Sequence, residues 1–242
     1  MGLNVLVDYD NVPAALWTPG PIQAAATICS RLPASVVGNE PELTVRLYGG
    51  WKTNSMSTQR AQALIPQLAT GHTYIARPGH APGTPKIRLV VELAVAPLGA
   101  QTPFDTTLAK ERALRTFRPR QNVTACFQPA ACGLSFLRNL THQTPCVTPQ
   151  CGATPRDLLV RDEQKMVDTL MVADMAHAAF INDDKDIVVV TSDTDIWPGV
   201  LLAIKAGCAV TQIHATPKMR TPTALTNMLP PGASRYFNEI LL

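Results

Sequence analysis

No stretch of this chain comes near eighteen consecutive apolar residues, so no membrane-spanning helix is expected. No basic-then-apolar leader precedes the first apolar run, so no secretion signal is expected, and a cytoplasmic location follows. Net charge is small, +3 for 242 residues. That is too little to point to a polyanion partner, which only local clustering of charge would do. No internal repeat is present. Charged residues make up only 16% and apolar residues 46%, which excludes a disordered chain and predicts a globular one. In a reducing compartment the six cysteines suit thiols or metal ligands better than disulfides.

What the chain does have is two apolar runs that end in acids. Leu3 and Val5–Leu6–Val7 lead into Asp8, Asp10 and Asn11. Ile187–Val188–Val189–Val190 leads into Ser192, Asp193 and Asp195. A continuous apolar run fits a strand buried on both faces of a parallel sheet. Polar residues just beyond it lie at the carboxyl edge, where open α/β sheets bind ligands.

Between these runs the pattern alternates strand and helix. A Pro-Gly-Pro turn at 19–21 opens a helix over 22–31. Residues 43–51 read as a strand, 58–69 as a helix, and 73–77 as a short strand. Residues 86–96 read as a strand at a sheet edge. A helix is expected over 162–180, then a strand at 186–191. A further helix over 195–206 ends at Gly207, and a strand follows at 208–214. The tail from Thr216 holds four of the 21 prolines and is expected to cover the surface. The order predicts an α/β fold with a mainly parallel central sheet flanked by helices.

A third source of acid is Asp168, on the helix in EQKMVDTLMVAD. Carboxylates gathered at one edge repel, and need protons or a cation to coexist. Hard oxygen clusters suit Mg²⁺ or Mn²⁺. Such ions lower the pKa of an attacking water and stabilise charge on a phosphodiester in transition. Asp174 lies about 240° around the helix from Asp168, so the two do not face one ion. Asp174 and Asp162 read as a solvated face and a cap, and His177 as an ordinary helix residue. Singly, Asp8 and Asp10 also suit a turn and Asp195 a helix cap.

VDYDN at 7–11, EQKMVDTLMVAD at 163–174 and TSDTDIWPGV at 191–200 together resemble the three signature segments of NYN domains, in the PIN-like nuclease superfamily. The matching positions are Asp8 and Asn11; Lys165 and Asp168; and Ser192, Asp193, Asp195 and Pro198. The resemblance implies a Rossmann-like PIN fold over 1–242, with a basic and cysteine-bearing insertion at 104–158. It implies a metal-dependent endoribonuclease that leaves 5′-phosphate ends on RNA, and pairing of two copies as a homodimer. It assigns Asp8, Asp168, Asp193 and Asp195 to the Mg²⁺ or Mn²⁺, with Asp8 and Asp193 as primary ligands. Asn11 and Ser192 would orient ligands or a phosphate, and Lys165 would contact phosphate. Met166 stands where the family often has glycine, a residue that eases the start of the helix.

The insertion adds two features. Cys126, Cys132, Cys146 and Cys151 form two close pairs, which suit a structural Zn²⁺, with His142 as an alternative ligand. Unlinked buried thiols are the plainer alternative, as for Cys29 and Cys208. The run 110–120 holds Lys110, Arg112, Arg115, Arg118 and Arg120 against Glu111. With Arg46, Lys52, Arg77, Lys86 and Arg88 it would track a phosphate backbone, or else form a solvated face. Tyr48, Trp51 and Trp197 are candidates for stacking single-stranded bases, with packing against the sheet as the alternative.

Two other functions fit parts of the pattern. A phosphatase of the haloacid dehalogenase type would use Asp8 as nucleophile and Asp10 as acid/base. That leaves Asn11 and Asp168 without a role. A non-catalytic RNA-binding module would keep the fold alone.

Overall fold

A computed structural model of the protein describes residues 2–69, 71–100, 102–112, 144–148, 150–155, 160–164, 166–181, 185–216 and 219–242. The chain divides into two compact units, Met1–Leu108 with Gln164–Leu242, and Ala109–Glu163.

The larger unit is an α/β layer structure. Its strands are β1 (Leu3–Asp8), β2 (Glu42–Tyr48), β5 (Thr73–Ile75), β6 (Ile87–Leu93), β9 (Asp186–Val190), β10 (Ala209–His214) and β11 (Phe237–Leu241). They form one sheet in the order β11-β10-β9-β1-β2-β6-β5. All neighbours pair parallel except β5 and β6. A hairpin of β3 (Lys52–Thr53) and β4 (Met56–Ser57) follows β2. β7 (Leu108–Arg112) and β8 (Val160–Gln164) form a separate two-stranded sheet.

The helices are α1 (Ala14–Trp17), α2 (Pro21–Cys29), α3 (Ala34–Val37), α4 (Gln59–Leu68), α5 (Val167–Phe180), α6 (Trp197–Lys205) and α7 (Thr223–Thr226). Successive strand residues face opposite sides of a sheet. Val5, Val7, Val45, Leu47, Val188 and Val190 accordingly belong to one buried cluster, with Ile28 of α2 and Leu64 of α4. Leu6, Tyr48, Ile187 and Val189 belong to the other, with Leu170 and Met175 of α5 and Val200 of α6. Both faces are covered, which is why Val5–Val7 of β1 and Ile187–Val190 of β9 are apolar throughout. Each fully buried Val or Leu contributes about 1.5–3 kcal/mol relative to exposure.

Helices α5 and α6 pack side by side on that second face. The contact runs through Gly199, where an added Cβ would lie 2.8 Å from Met175 Sδ and 3.2 Å from Val172 Cα. Only a residue without a side chain permits that approach.

Three elements differ from expectation. Residues 160–164 form a strand and not the first turn of a helix, and α5 begins at Val167. β6 lies inside the sheet, because β5 covers its outer side. The C-terminal tail does not simply lie over the surface; its last part enters the sheet as β11. Among the described residues no helix is long and apolar enough to cross a membrane.

Candidate metal centre at the carboxyl edge

The sheet runs one way from β1 through β2 to β6, and the other way from β9 through β10 to β11. The switch falls between β1 and β9. In open α/β sheets such a switch leaves a crevice beyond the carboxyl ends of the strands.

Register and alternation decide which side chains enter it. Val7 pairs with Val190, so the next step places Asp8 beside Thr191, both on the α5–α6 face. Thr191 Oγ1 donates to Asp8 Oδ2 at 3.1 Å. Asn11 Nδ2 donates to the same oxygen at 2.8 Å, and the Asn11 amide to Oδ1 at 3.3 Å. Asn11 Oδ1 in turn accepts from the Ser192 amide at 3.4 Å. Asp8 is 4% exposed. Burial raises its pKa above the ordinary value, and the bonds from Asn11 and Thr191 oppose the rise.

Asp168 enters from the first turn of α5. Asp193 and Asp195 come from the turn after β9. One carboxylate oxygen from each of these three lies within 4.8 Å of the others. Burial raises the Asp168 pKa, and the charges of Asp8, Asp193 and Asp195 raise it further. Asp8 therefore stands close enough to act on Asp168, although the tight three-acid group does not include it. Local bonds shape the turn. The Asp193 amide donates to Thr191 Oγ1 at 3.0 Å, and the Asp195 amide to Asp193 Oδ1 at 2.9 Å. The residue before α6 makes no side-chain cap bond and is Ile196, so Asp195 is not spent as a helix cap. Asp168 sits at the positive end of α5 and Asp195 just ahead of that of α6, which eases their crowding.

The donor set fits a hard divalent cation. Every donor is a carboxylate oxygen, and ligand oxygens around Mg²⁺ lie about 3–4 Å apart. Small side-chain movements bring oxygens already within 4.8 Å to that spacing.

Met166, immediately before α5, has φ +65°, in the left-handed region. Glycine adopts that conformation without strain, and methionine does not. The substitution noted in the sequence therefore falls on a position whose backbone suits glycine.

Several expected residues are placed elsewhere. Asp10 does not join the three-acid group; it pairs with Arg60 and accepts from Gln164. Asp174 is not on a solvated face: it is fully buried, pairs with Arg46 Nη2 at 3.1 Å, and accepts from Tyr48 Oη at 2.6 Å and the Leu98 amide at 2.7 Å. Arg46 is thereby committed to Asp174 and Glu92. Arg77 donates to the Gly38 and Glu40 carbonyls, and Arg88 pairs with Glu42. Each of these arginines is engaged within the fold. Tyr48 and Trp51 are fully buried and offer no face to a base. Trp197 is 3% exposed, with its ring edge-on to Phe237, so it is no open stacking platform either.

Lys165, Arg115, Cys126, Cys132 and His142 lie outside the described residues, and Arg112 is placed only as the last residue of β7. Cys146 and Cys151 are exposed on one turn. The Cys146 amide donates to the Ala153 carbonyl at 2.8 Å, and the Cys151 amide to the Thr148 carbonyl at 3.1 Å. Bonding to Thr148, whose Oγ1 is 3.3 Å from Cys146 Sγ, lowers the Cys146 pKa.

Thr191 was missed by sequence reasoning, yet it links the two acid-bearing strands. Its signal was its place as the first hydroxyl after an apolar strand. No protein-family model, curated protein or solved structure matches this chain.

Proposed function

We propose that the chain is a divalent-cation-dependent endoribonuclease of PIN-like, NYN type, cutting single-stranded RNA to leave 5′-phosphate ends. One observation carries the reading: Asp168 from the start of α5, and Asp193 and Asp195 from the turn after β9, bring carboxylate oxygens within 4.8 Å at the switch point of a mainly parallel sheet. Asp8 stands beside them and is held by Asn11 and Thr191.

A Mg²⁺ or Mn²⁺ bound there would supply Lewis acidity and an activated water. Asp168, Asp193 and Asp195 would hold the ion, with Asp8 completing its surroundings. Asn11 and Thr191 keep the Asp8 carboxylate fixed, and the Asp195 amide does the same for Asp193. Burial raises the pKa of both Asp8 and Asp168 above the ordinary carboxylate value, and a bound cation would oppose that rise. Asp10 is engaged by Arg60 and Gln164, which weighs against its use as the acid/base of a phosphatase. Cys146 and Cys151 supply two of the four thiols that a structural Zn²⁺ would need, and the lowered Cys146 pKa favours a thiolate.

The test is incubation of pure protein with labelled single-stranded RNA in Mn²⁺, Mg²⁺ or EDTA. Cleavage is expected only with metal, and is expected to fall on the order of 10²–10³-fold in Asp8→Asn and Asp193→Asn. Cleavage that survives EDTA or both substitutions overturns the proposal.

A further inference from the structure

Away from the acids, β5 pairs with β6 only across Ile87–Leu89. Beyond Leu89 the outer edge of β6 is open. The Ala94 amide donates inward, to the Leu47 carbonyl at 2.9 Å, and the Phe104 amide reaches the Val95 carbonyl from outside at 2.8 Å. Main-chain groups of successive strand residues point to alternate sides, so those of Val91 and Leu93 point outward. Among the described residues nothing pairs with them there. Sheet edges are normally blunted by a free charge, a proline or a bulge. This stretch, VVELAV at 90–95, has no proline, and Glu92, its one charged residue, is paired with Arg46.

Beside the open edge lies a cavity of about 450 Å³. Val91, Leu93 and Val95 line it along the strand, and Ala61, Ile65 and Leu68 along α4. Ordinary ligand sites occupy about 300–1,000 Å³. Lys52 also lines it. The Lys52 ammonium donates to the Ser55 carbonyl at 3.3 Å and meets no carboxylate among the described residues. Apolar walls with an unopposed cation suit an apolar ligand that carries a carboxylate. A fatty acid answers to that description but leaves the main-chain donors and acceptors of Val91 and Leu93 bare. An extended polypeptide pairs with them, and sends every second side chain toward the apolar walls.

We propose that this groove takes an extended apolar segment of another polypeptide, added as a strand beside Val91 and Leu93, with a carboxylate of that segment set against Lys52. None of the groove residues is among the acids at the switch point, so the proposal stands apart from the nuclease reading, and its test uses no RNA.

The whole chain is titrated with a pool of synthetic heptapeptides that alternate Val, Ile, Leu or Phe with Thr and end in a free carboxylate. Sodium decanoate forms a second arm. At least one peptide is expected to bind saturably and to slow amide hydrogen exchange at Val91 and Leu93 about tenfold or more. Alternate amides of an added strand face the edge, so N-methylation of that peptide in one alternating frame is expected to weaken it about tenfold or more, and in the other frame to leave it as it was. Ile65 is 49% exposed, so Ile65→Glu should leave the fold intact and remove peptide binding. Lys52→Ala should weaken binding up to about fivefold. The parent titration decides without the variants. The proposal is overturned if no peptide protects Val91 and Leu93, or if both N-methylated frames bind like the parent peptide. Decanoate binding in the groove with no peptide bound overturns it in favour of a fatty acid. Self-association of the chain that Ile65→Glu abolishes overturns it in favour of a second copy.

Discussion

Two aspartates on α5, Asp168 and Asp174, stand six residues apart and have opposite surroundings. Asp174 is fully buried, yet Arg46, Tyr48 and the Leu98 amide all reach it. Burial first, and then the Asp174 charge, push the Tyr48 pKa well above its ordinary value, so the phenol stays a donor. Asp168 is only half-buried, and the charged groups acting on it are three other carboxylates. One acid has its cation built into the fold; among the described residues the other is acted on only by negative charge. Where an acid finds its counter-charge within the chain its role is structural, and for Asp168 the proposed counter-charge is a cation from outside.

The largest effect that would break this contrast is on stability. Asp174→Ala takes the buried carboxylate from Arg46, which keeps Glu92, and from Tyr48, and is expected to cost about 3 kcal/mol, seen as an earlier unfolding midpoint in denaturant. Mn²⁺ affinity of the remaining folded protein should stay unchanged. Next comes Thr191→Val, which removes the hydroxyl between Asp8 and the Asp193 amide. It should lower metal affinity or cleavage about 10–100-fold, with a much smaller change in Tm, checked by titration calorimetry and melting of the same sample.

A smaller effect concerns pH. The folded Asp168 holds its proton above the ordinary value of 3.8. Above 3.8 the folded state thus binds more protons than the unfolded one, and stability falls as pH rises through the window up to the raised value. Asp168→Asn should therefore melt a few degrees higher than the parent at neutral pH without metal, and show no such gain below pH 3.8. Added Mn²⁺ should raise the parent and not the variant. Equal melting of both proteins at every pH would remove Asp168 from the unbalanced side. Smallest is Met166→Gly. Release of the left-handed strain, less the entropy of glycine, should add about 0.5–1 kcal/mol, measured by denaturant melts.

The ends of β1 and β9 were legible because both faces of these central strands are buried, so Val5–Val7 and Ile187–Val190 are apolar up to Asp8 and Thr191. The separation of Asp168 from Asp174 was legible too, from the turn of a helix. The environment of Asp174 was not, because its counter-charge is on β2, far away in sequence. Residues from Asp162 on were expected to be helical as the start of the run to Phe180, but pairing with β7 makes 160–164 a strand. The short, half-polar β11 owes its conformation to β10, a long-range contact that local pattern does not carry. The gathering of Ser192 and Trp197 with His214 around one small cavity was invisible for the same reason, since His214 lies outside the segment 191–200 that holds the other two.

Gly199 sits remote from the chemistry, at the seam between α5 and α6. Asp168 rides at the head of one helix and Asp195 just before the other, so in the proposed cation site the seam would gauge the distance between these acids from behind. A single methyl group at 199 would crowd Met175 and Val172, and the proposed site would then change its preference among ions with every acid still in place.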